Sequence, residues 1–137
     1  MNKNDIKSST ELFLYKATVD INAAKYLLKA FENNEIDIDL ETIMFHLQQC
    51  AEKLLKSILS QNKVRVLKTH DIDALIELAH DNSIELIQNI ELLKYLSDFA
   101  VDGRYAVIHD DLDDADKYIE VLDRLLEFIQ KKVINDK

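Results

Sequence analysis

Apolar side chains recur at three- and four-residue steps along almost the whole chain, the spacing that puts one side of an α-helix against a core. The first such stretch begins at Ser8 or Ser9. Ser8 followed by Glu11 fits a capping box, and Leu12, Tyr15, Val19, Ala23, Tyr26, Leu27 and Ala30 are expected on the inward side. The pattern fades in the polar run Glu32-Asn33-Asn34-Glu35. The second helix is the clearest: Asp39 is the expected N-cap, and Leu40, Ile43, Met44, Leu47, Cys50, Ala51, Leu54, Leu55, Ile58 and Leu59 form a wide stripe that stops near Ser60-Gln61-Asn62. A short third helix is expected over 71–79, capped by Thr69 or His70, with Ile72, Leu75, Ile76 and Ala79 inward. A fourth is expected over 83–101, using Ile84, Ile87, Leu93, Leu96 and Ala100. A fifth is expected over 111–133, using Leu112, Ala115, Ile119, Leu122, Leu125, Leu126, Ile129 and Val133.

The expected fold is therefore all-α: an up-and-down antiparallel bundle of four long helices and one short one, in a single domain over residues 1–137. There is no proline, and the one glycine, Gly103, stands where the fourth helix has to end. It opens the one stretch that breaks the helical pattern, Gly103-Arg104-Tyr105-Ala106-Val107-Ile108-His109.

With 47% apolar and 31% charged residues, the chain has the composition of a folded soluble protein and not of a disordered one. No apolar run reaches the ~18–20 residues of a membrane span. The polar start and the lone Cys50, which has no internal partner for a disulfide, point to the cytoplasm. The net charge of −9 is unevenly spread. From Asp98 to Asp123 nine acids face only Arg104 and Lys117, which accounts for seven of those nine charges. The acids of 110–116 fall on the first turn of the fifth helix, where the dipole favours them. Conversely, Lys53, Lys56, Lys63, Arg65 and Lys68 follow one another with no acid between them. Nucleic acid would be repelled by the first region and attracted to the second.

Candidate chemistry is sparse. Arginine grips phosphate through a planar two-donor fork, and histidine exchanges protons near neutral pH, so Arg104 and His109 could together handle a phosphodiester. Five residues apart on a regular helix, they would lie about 140° apart around the axis. They converge only through irregular backbone or a second copy of the chain. The same residues also fit a plain structural reading, with Arg104 bonded to Asp98 or Asp102 and His109 at the start of the fifth helix. The run Asp110–Asp116 lacks the ligand spacing and the glycine of a calcium loop. His46 and Cys50 share a helix face but supply only two ligands, so no metal site and no cofactor are expected. His70-Asp71 reads either as a base with its orienting carboxylate or as a helix cap. Gln48, Gln49, Glu52, Lys53 and Lys56 flank the second helix's stripe and could line a polar groove, meet a subunit, or face solvent.

Three segments carry a family resemblance. Phe45-His46-Leu47-Gln48-Gln49-Cys50-Ala51-Glu52-Lys53-Leu54-Leu55-Lys56-Ser57-Ile58-Leu59 resembles the second-helix signature of HEPN (higher eukaryotes and prokaryotes nucleotide-binding) domains. Lys68-Thr69-His70-Asp71-Ile72 resembles their third-helix start. Ala100-Val101-Asp102-Gly103-Arg104-Tyr105 resembles the segment before their last helix. The resemblance implies a small helical bundle that forms homodimers.

Many HEPN proteins are metal-independent ribonucleases whose motif is an arginine, four to six residues, then a histidine, with two copies meeting at the dimer interface. The pair Arg104 and His109 has that spacing. The implied roles are His109 as general base or acid toward a ribose 2′-hydroxyl and Arg104 as the group that stabilises the charged phosphate. Tyr105, Gln48, Gln49, Lys53 and Lys56 are the expected binding residues. Tyr105 stands where active members commonly carry a polar residue, and Asp111 where some toxin members carry a tyrosine.

Two expectations follow. One is an endoribonuclease, toxin-like, paired with a nucleotidyltransferase antitoxin. The other is a non-catalytic HEPN module that dimerises, binds a nucleotide or another anion, and acts as partner to a nucleotidyltransferase.

Overall fold

The computed structural model describes residues 6–99 and 112–135. Among these residues the protein is all-helical: α1 (Ser9–Glu32), α2 (Leu40–Gln61), α3 (Ile72–Asp81), a 3₁₀ helix (Ile90–Phe99) and α4 (Leu112–Asn135). Helix α2 is the hub and touches α1, α3, the 3₁₀ helix and α4. Its sequence explains why. Fourteen of its 22 residues are buried, including every apolar position from Leu40 to Leu59 read from the periodicity, so it presents apolar surface around most of its circumference.

Local chemistry sets the helix ends. The Ser8 hydroxyl accepts from the Glu11 amide at 3.2 Å, and the Asp39 carboxylate accepts from the Thr42 amide at 2.8 Å, so both expected N-caps are in place. The cap of α3 is Asp71, whose carboxylate accepts from the Asp73 amide at 3.0 Å, and not Thr69 or His70. Thr69 instead accepts from the Asp71 amide. Three helices end without glycine. Asn34, Lys63 and Ser83 take positive φ of 56°, 60° and 58°. The following amides of Glu35, Val64 and Ile84 reach back five residues to the carbonyls of Ala30, Leu59 and Ala79 at 2.9–3.0 Å. These are Schellman closures, which satisfy the last carbonyls of each helix.

Two expectations are corrected. The inward side of α1 is Leu14, Ala17, Ile21, Ala24 and Leu28, while Leu12, Val19 and Tyr26 are exposed and Tyr15, Ala23 and Leu27 half-buried. Helix α1 carries two apolar stripes. The slimmer one, built on Ala17 and Ala24, fits closely against α2, where small side chains let two helices approach. The fourth helix begins at Ile90 and not at 83. Ser83 and Asn89 both take left-handed backbone, Asn89 at φ 67°, and residues 84–87 between them are not helical. Ile84 still packs into the core, as do Leu93 and Leu96. On α4, Ala115, Leu122, Leu125, Ile129 and Val133 are buried as expected, with Ile119 and Leu126 half-buried. No helix among the described residues is long and apolar enough to cross a membrane.

Polar ties fix the antiparallel packing where the start of α1 meets the end of α2. Ser57 donates to the Thr10 carbonyl at 3.0 Å, and the Thr10 hydroxyl donates to Ser60 at 3.0 Å. Leu54, fully buried at the middle of α2, is expected to cost about 3 kcal/mol as Leu54→Ala, through lost burial and the cavity left behind. Lys63→Gly is expected to raise stability by about 0.5 kcal/mol, because glycine removes the left-handed strain but is itself more disordered when unfolded. Urea unfolding of the two variants beside the wild type checks both.

Candidate functional site

Two polar regions adjoin α2. The first is a knot where the loop after α2 folds back to start α3. Gln48 is wholly buried. Its amide nitrogen donates to the Glu52 carboxylate at 3.0 Å and to the His70 carbonyl at 3.3 Å, and its amide oxygen accepts from Gln49 at 2.7 Å. Lys56 donates to the other oxygen of Glu52 at 2.7 Å, and His70 Nδ1 lies 3.0 and 3.2 Å from the two carboxylate oxygens. An ionised carboxylate can only accept, so Nδ1 carries the proton in this contact. Burial alone would push the Glu52 carboxyl up. The hydrogen bonds from Lys56, His70 and Gln48 outweigh that effect and hold it below the usual carboxylate range.

One turn away on α2, Lys53 donates to Asp20 of α1 at 2.6 Å, and His46 Nδ1 lies 3.4 Å from the other oxygen of Asp20. Cys50 sits between these groups, fully buried. Burial first, then the nearby Asp20 and Asp123 carboxylates, push its thiol far up, so it stays protonated and inert. Among the described residues no group of three or more His, Cys, Asp or Glu is placed to hold an ion.

The second region is a cleft of about 200 Å³ at the other end of α2, lined by Leu40, Met44, Tyr95, Asp98, Phe99, Asp114 and Tyr118. Its floor is apolar and its ionisable groups are two carboxylates and two phenols. Burial, then Asp114, Tyr95 and Asp98, push the Tyr118 phenol up, so it remains a neutral hydrogen-bond donor. Such a lining suits a cation or an amine and repels an anion.

Arg104, Tyr105 and His109 lie outside the described residues, as does Gly103. Of the remaining sequence candidates, Gln48 and Gln49 bond to each other, Lys56 to Glu52 and Lys53 to Asp20, so the structure draws these four into internal contacts. His70 turns to Glu52 and leaves Asp71 to cap α3. Asp20, Tyr95, Asp98 and Tyr118 were missing from the sequence candidates. The knot did have a signal: Gln48, Glu52 and Lys56 stand four apart, one above another, on a helix otherwise apolar on that side. The cleft residues come from three elements and share no spacing.

A hub helix buried on several sides, capped by a short α3 and closed by a long last helix, defines a compact class of helical domain. The chain belongs to the HEPN domain family, whose family model matches residues 10–133. The fold is similar to that of the crystal structure of ST0689, an archaeal HEPN homologue. The two are 21% identical with a TM-score of 0.63, over 93% of this chain and 99% of that one. No curated protein matches the chain.

Removing the Glu52 charge tests the knot. Glu52→Ala is expected to cost about 3 kcal/mol, because it strands the half-buried Lys56 ammonium and leaves Gln48 and His70 without their acceptor. Since the folded carboxyl is held low, its contribution is fully present above the unfolded value of about 4.3 and is lost as pH falls through the folded one. Urea midpoints at pH 7 and pH 3 should therefore fall further for the wild type than for Glu52→Gln.

Proposed function

We propose that this HEPN domain is a non-nucleolytic, self-associating module that acts as the helical partner of a nucleotidyltransferase. The carrying observation is the commitment of its central cations. Lys53 is paired with Asp20 at 2.6 Å and Lys56 with Glu52 at 2.7 Å, so the implied anion-binding lysines are already neutralised. The cleft at the other end of α2 carries no cation among its described lining and two carboxylates, Asp98 and Asp114. A sugar-phosphate backbone approaching it meets like charge. The exposed bases Lys63, Arg65 and Lys68 belong to the loop after α2. Lys63 follows the far end of α2, roughly 25 Å along the helix from Met44 in the cleft. The nucleotidyltransferase partner and the homodimer are what the family resemblance suggests.

A specific observation favours a second reading, an endoribonuclease of the toxin kind: the interval from Arg104 to His109 is that of the HEPN ribonuclease motif. In that reading His109 exchanges the proton of a ribose 2′-hydroxyl and Arg104 holds the phosphate, each pair shared across a dimer.

Expression of the chain alone in bacteria, beside Arg104→Ala and His109→Ala, separates the two. The module reading expects equal growth for all three and no cleavage of single-stranded or transfer RNA by purified protein. It also expects a stoichiometric complex on co-expression with a nucleotidyltransferase of the same genome. Toxicity abolished by both substitutions, with matching loss of cleavage, establishes the ribonuclease instead.

A further inference from the structure

The loop that joins α2 to α3 leaves its backbone unpaired. Past the helix closure at Lys63 and Val64, no hydrogen bond among the described residues reaches the amide or carbonyl of Arg65, Val66, Leu67 or Lys68. Its side chains alternate. Val64 and Val66 are half-buried against the core, while Lys63, Arg65 and Leu67 face out, Leu67 at 43% exposure. A two-residue alternation is that of extended chain with one face on a core. Residues 64–67 therefore form a short strand-like edge, and the described residues, all helical or irregular, hold no strand to pair with it.

The charges on this edge are unpaired too. Lys53 and Lys56, upstream on α2, each have a carboxylate partner. Lys63, Arg65 and Lys68 have none among the described residues, and no acid stands between Lys53 and Lys68 in the sequence. The next carboxylate along the chain, Asp71, is taken up in capping α3.

We propose that this loop is a docking edge for an acidic, extended segment of a protein partner, which adds to residues 64–67 as a β-strand. The partner's main chain supplies the hydrogen bonds that the loop backbone lacks, and its side chains set specificity. In an antiparallel pairing the residues opposite Lys63 and Arg65 are acidic and the one opposite Leu67 is apolar, because cross-strand neighbours of opposite charge attract. Read from its own N-terminus, the recognised segment runs apolar, any, acidic, any, acidic. The inference goes beyond the nucleotidyltransferase reading and stands whichever protein carries the segment.

Two features favour such a segment over a nucleic acid. The unpaired backbone offers carbonyls as well as amides. A strand uses both, whereas phosphate oxygens only accept and are repelled by the carbonyls. The loop also carries no Phe, Tyr or Trp on which a base could stack, and its one neighbouring ring, His70, is turned to Glu52. Charge selects the sign: in a chain of net charge −9 this basic loop attracts what the acidic end repels.

Fluorescence anisotropy with labelled synthetic peptides and the full chain tests the proposal. The probe is the peptide Ser-Ile-Thr-Glu-Val-Glu-Ser. Arg65→Glu is expected to keep the helical far-UV spectrum and to weaken the probe at least tenfold, while a peptide with both Glu replaced by Lys binds Arg65→Glu better than wild type. Two further peptides carry N-methyl groups on alternate amides, one on Ile and the two Glu, the other on Thr and Val. One set faces the loop and the other faces solvent, so one peptide is expected to lose at least tenfold in affinity and the other to keep it. Equal behaviour of the two methylated peptides overturns the strand pairing. Absence of probe binding at about 1 mM overturns the docking edge itself. Displacement of the probe by single-stranded oligouridine makes the loop a nucleic-acid contact and overturns the choice of partner.

Discussion

Helix α2 is buried around most of its circumference, and Gln48, Glu52 and Ser57, buried within it, take their hydrogen-bond partners from the protein itself. The rest of the molecule follows from that constraint. Four other elements bury their faces on α2, which is why its stripe is wide where an ordinary surface helix has a narrow one. Gln48, Glu52 and Ser57 interrupt the stripe, and each is buried. An unsatisfied amide or carboxylate there would cost more than a core methyl group gains. They are therefore tied to two other pieces of chain: Ser57 to the start of α1, Gln48 and Glu52 both to His70 just before α3. The polar residues of the hub fix where its neighbours attach, while the apolar ones supply the energy of attachment.

The same constraint explains which parts of the structure could be read in advance. On α2, α3 and most of α4 the apolar periodicity has one answer, and those helices pack as it indicates. On α1 it has two. Leu14, Ile21 and Leu28 repeat every seven residues, and so do Leu12, Val19 and Tyr26. Local periodicity cannot say which line meets α2. The choice is tertiary: Ala17 and Ala24 allow the close approach that the bulkier line forbids. The late start of the fourth helix has a similar origin. Ile84 and Ile87 keep a helical rhythm, but left-handed backbone at Ser83 and Asn89 frees the intervening residues to run non-helically. Side-chain spacing carries no mark of that.

At the site level, residue type was legible and engagement was not. Gln48, Gln49, Lys53 and Lys56 were identifiable as a polar cluster on the flank of α2, yet the partners that tie Gln48 and Lys53 to the rest of the fold, the backbone of His70 and Asp20, lie 22 and 33 residues away in sequence. Only the fold-back of the loop after α2 turns a polar flank into a closed knot. Charge segregation was the more durable signal. The excess acid counted from Asp98 to Asp123 places Asp98 and Asp114 in the cleft, beside two phenols. A cleft so lined discriminates by sign before it discriminates by shape.

That sign also bears on how two copies can meet. Coulomb repulsion between molecules of net charge −9 disfavours contact through most faces, and most of all through the acidic end that holds the cleft. The outer side of α1 is apolar along its centre and flanked by lysines. Of these, Lys25 is already paired with Asp123 of α4 at 2.8 Å, so it adds little net positive charge of its own. Hydrophobic gain therefore exceeds electrostatic cost on this face more readily than at the cleft.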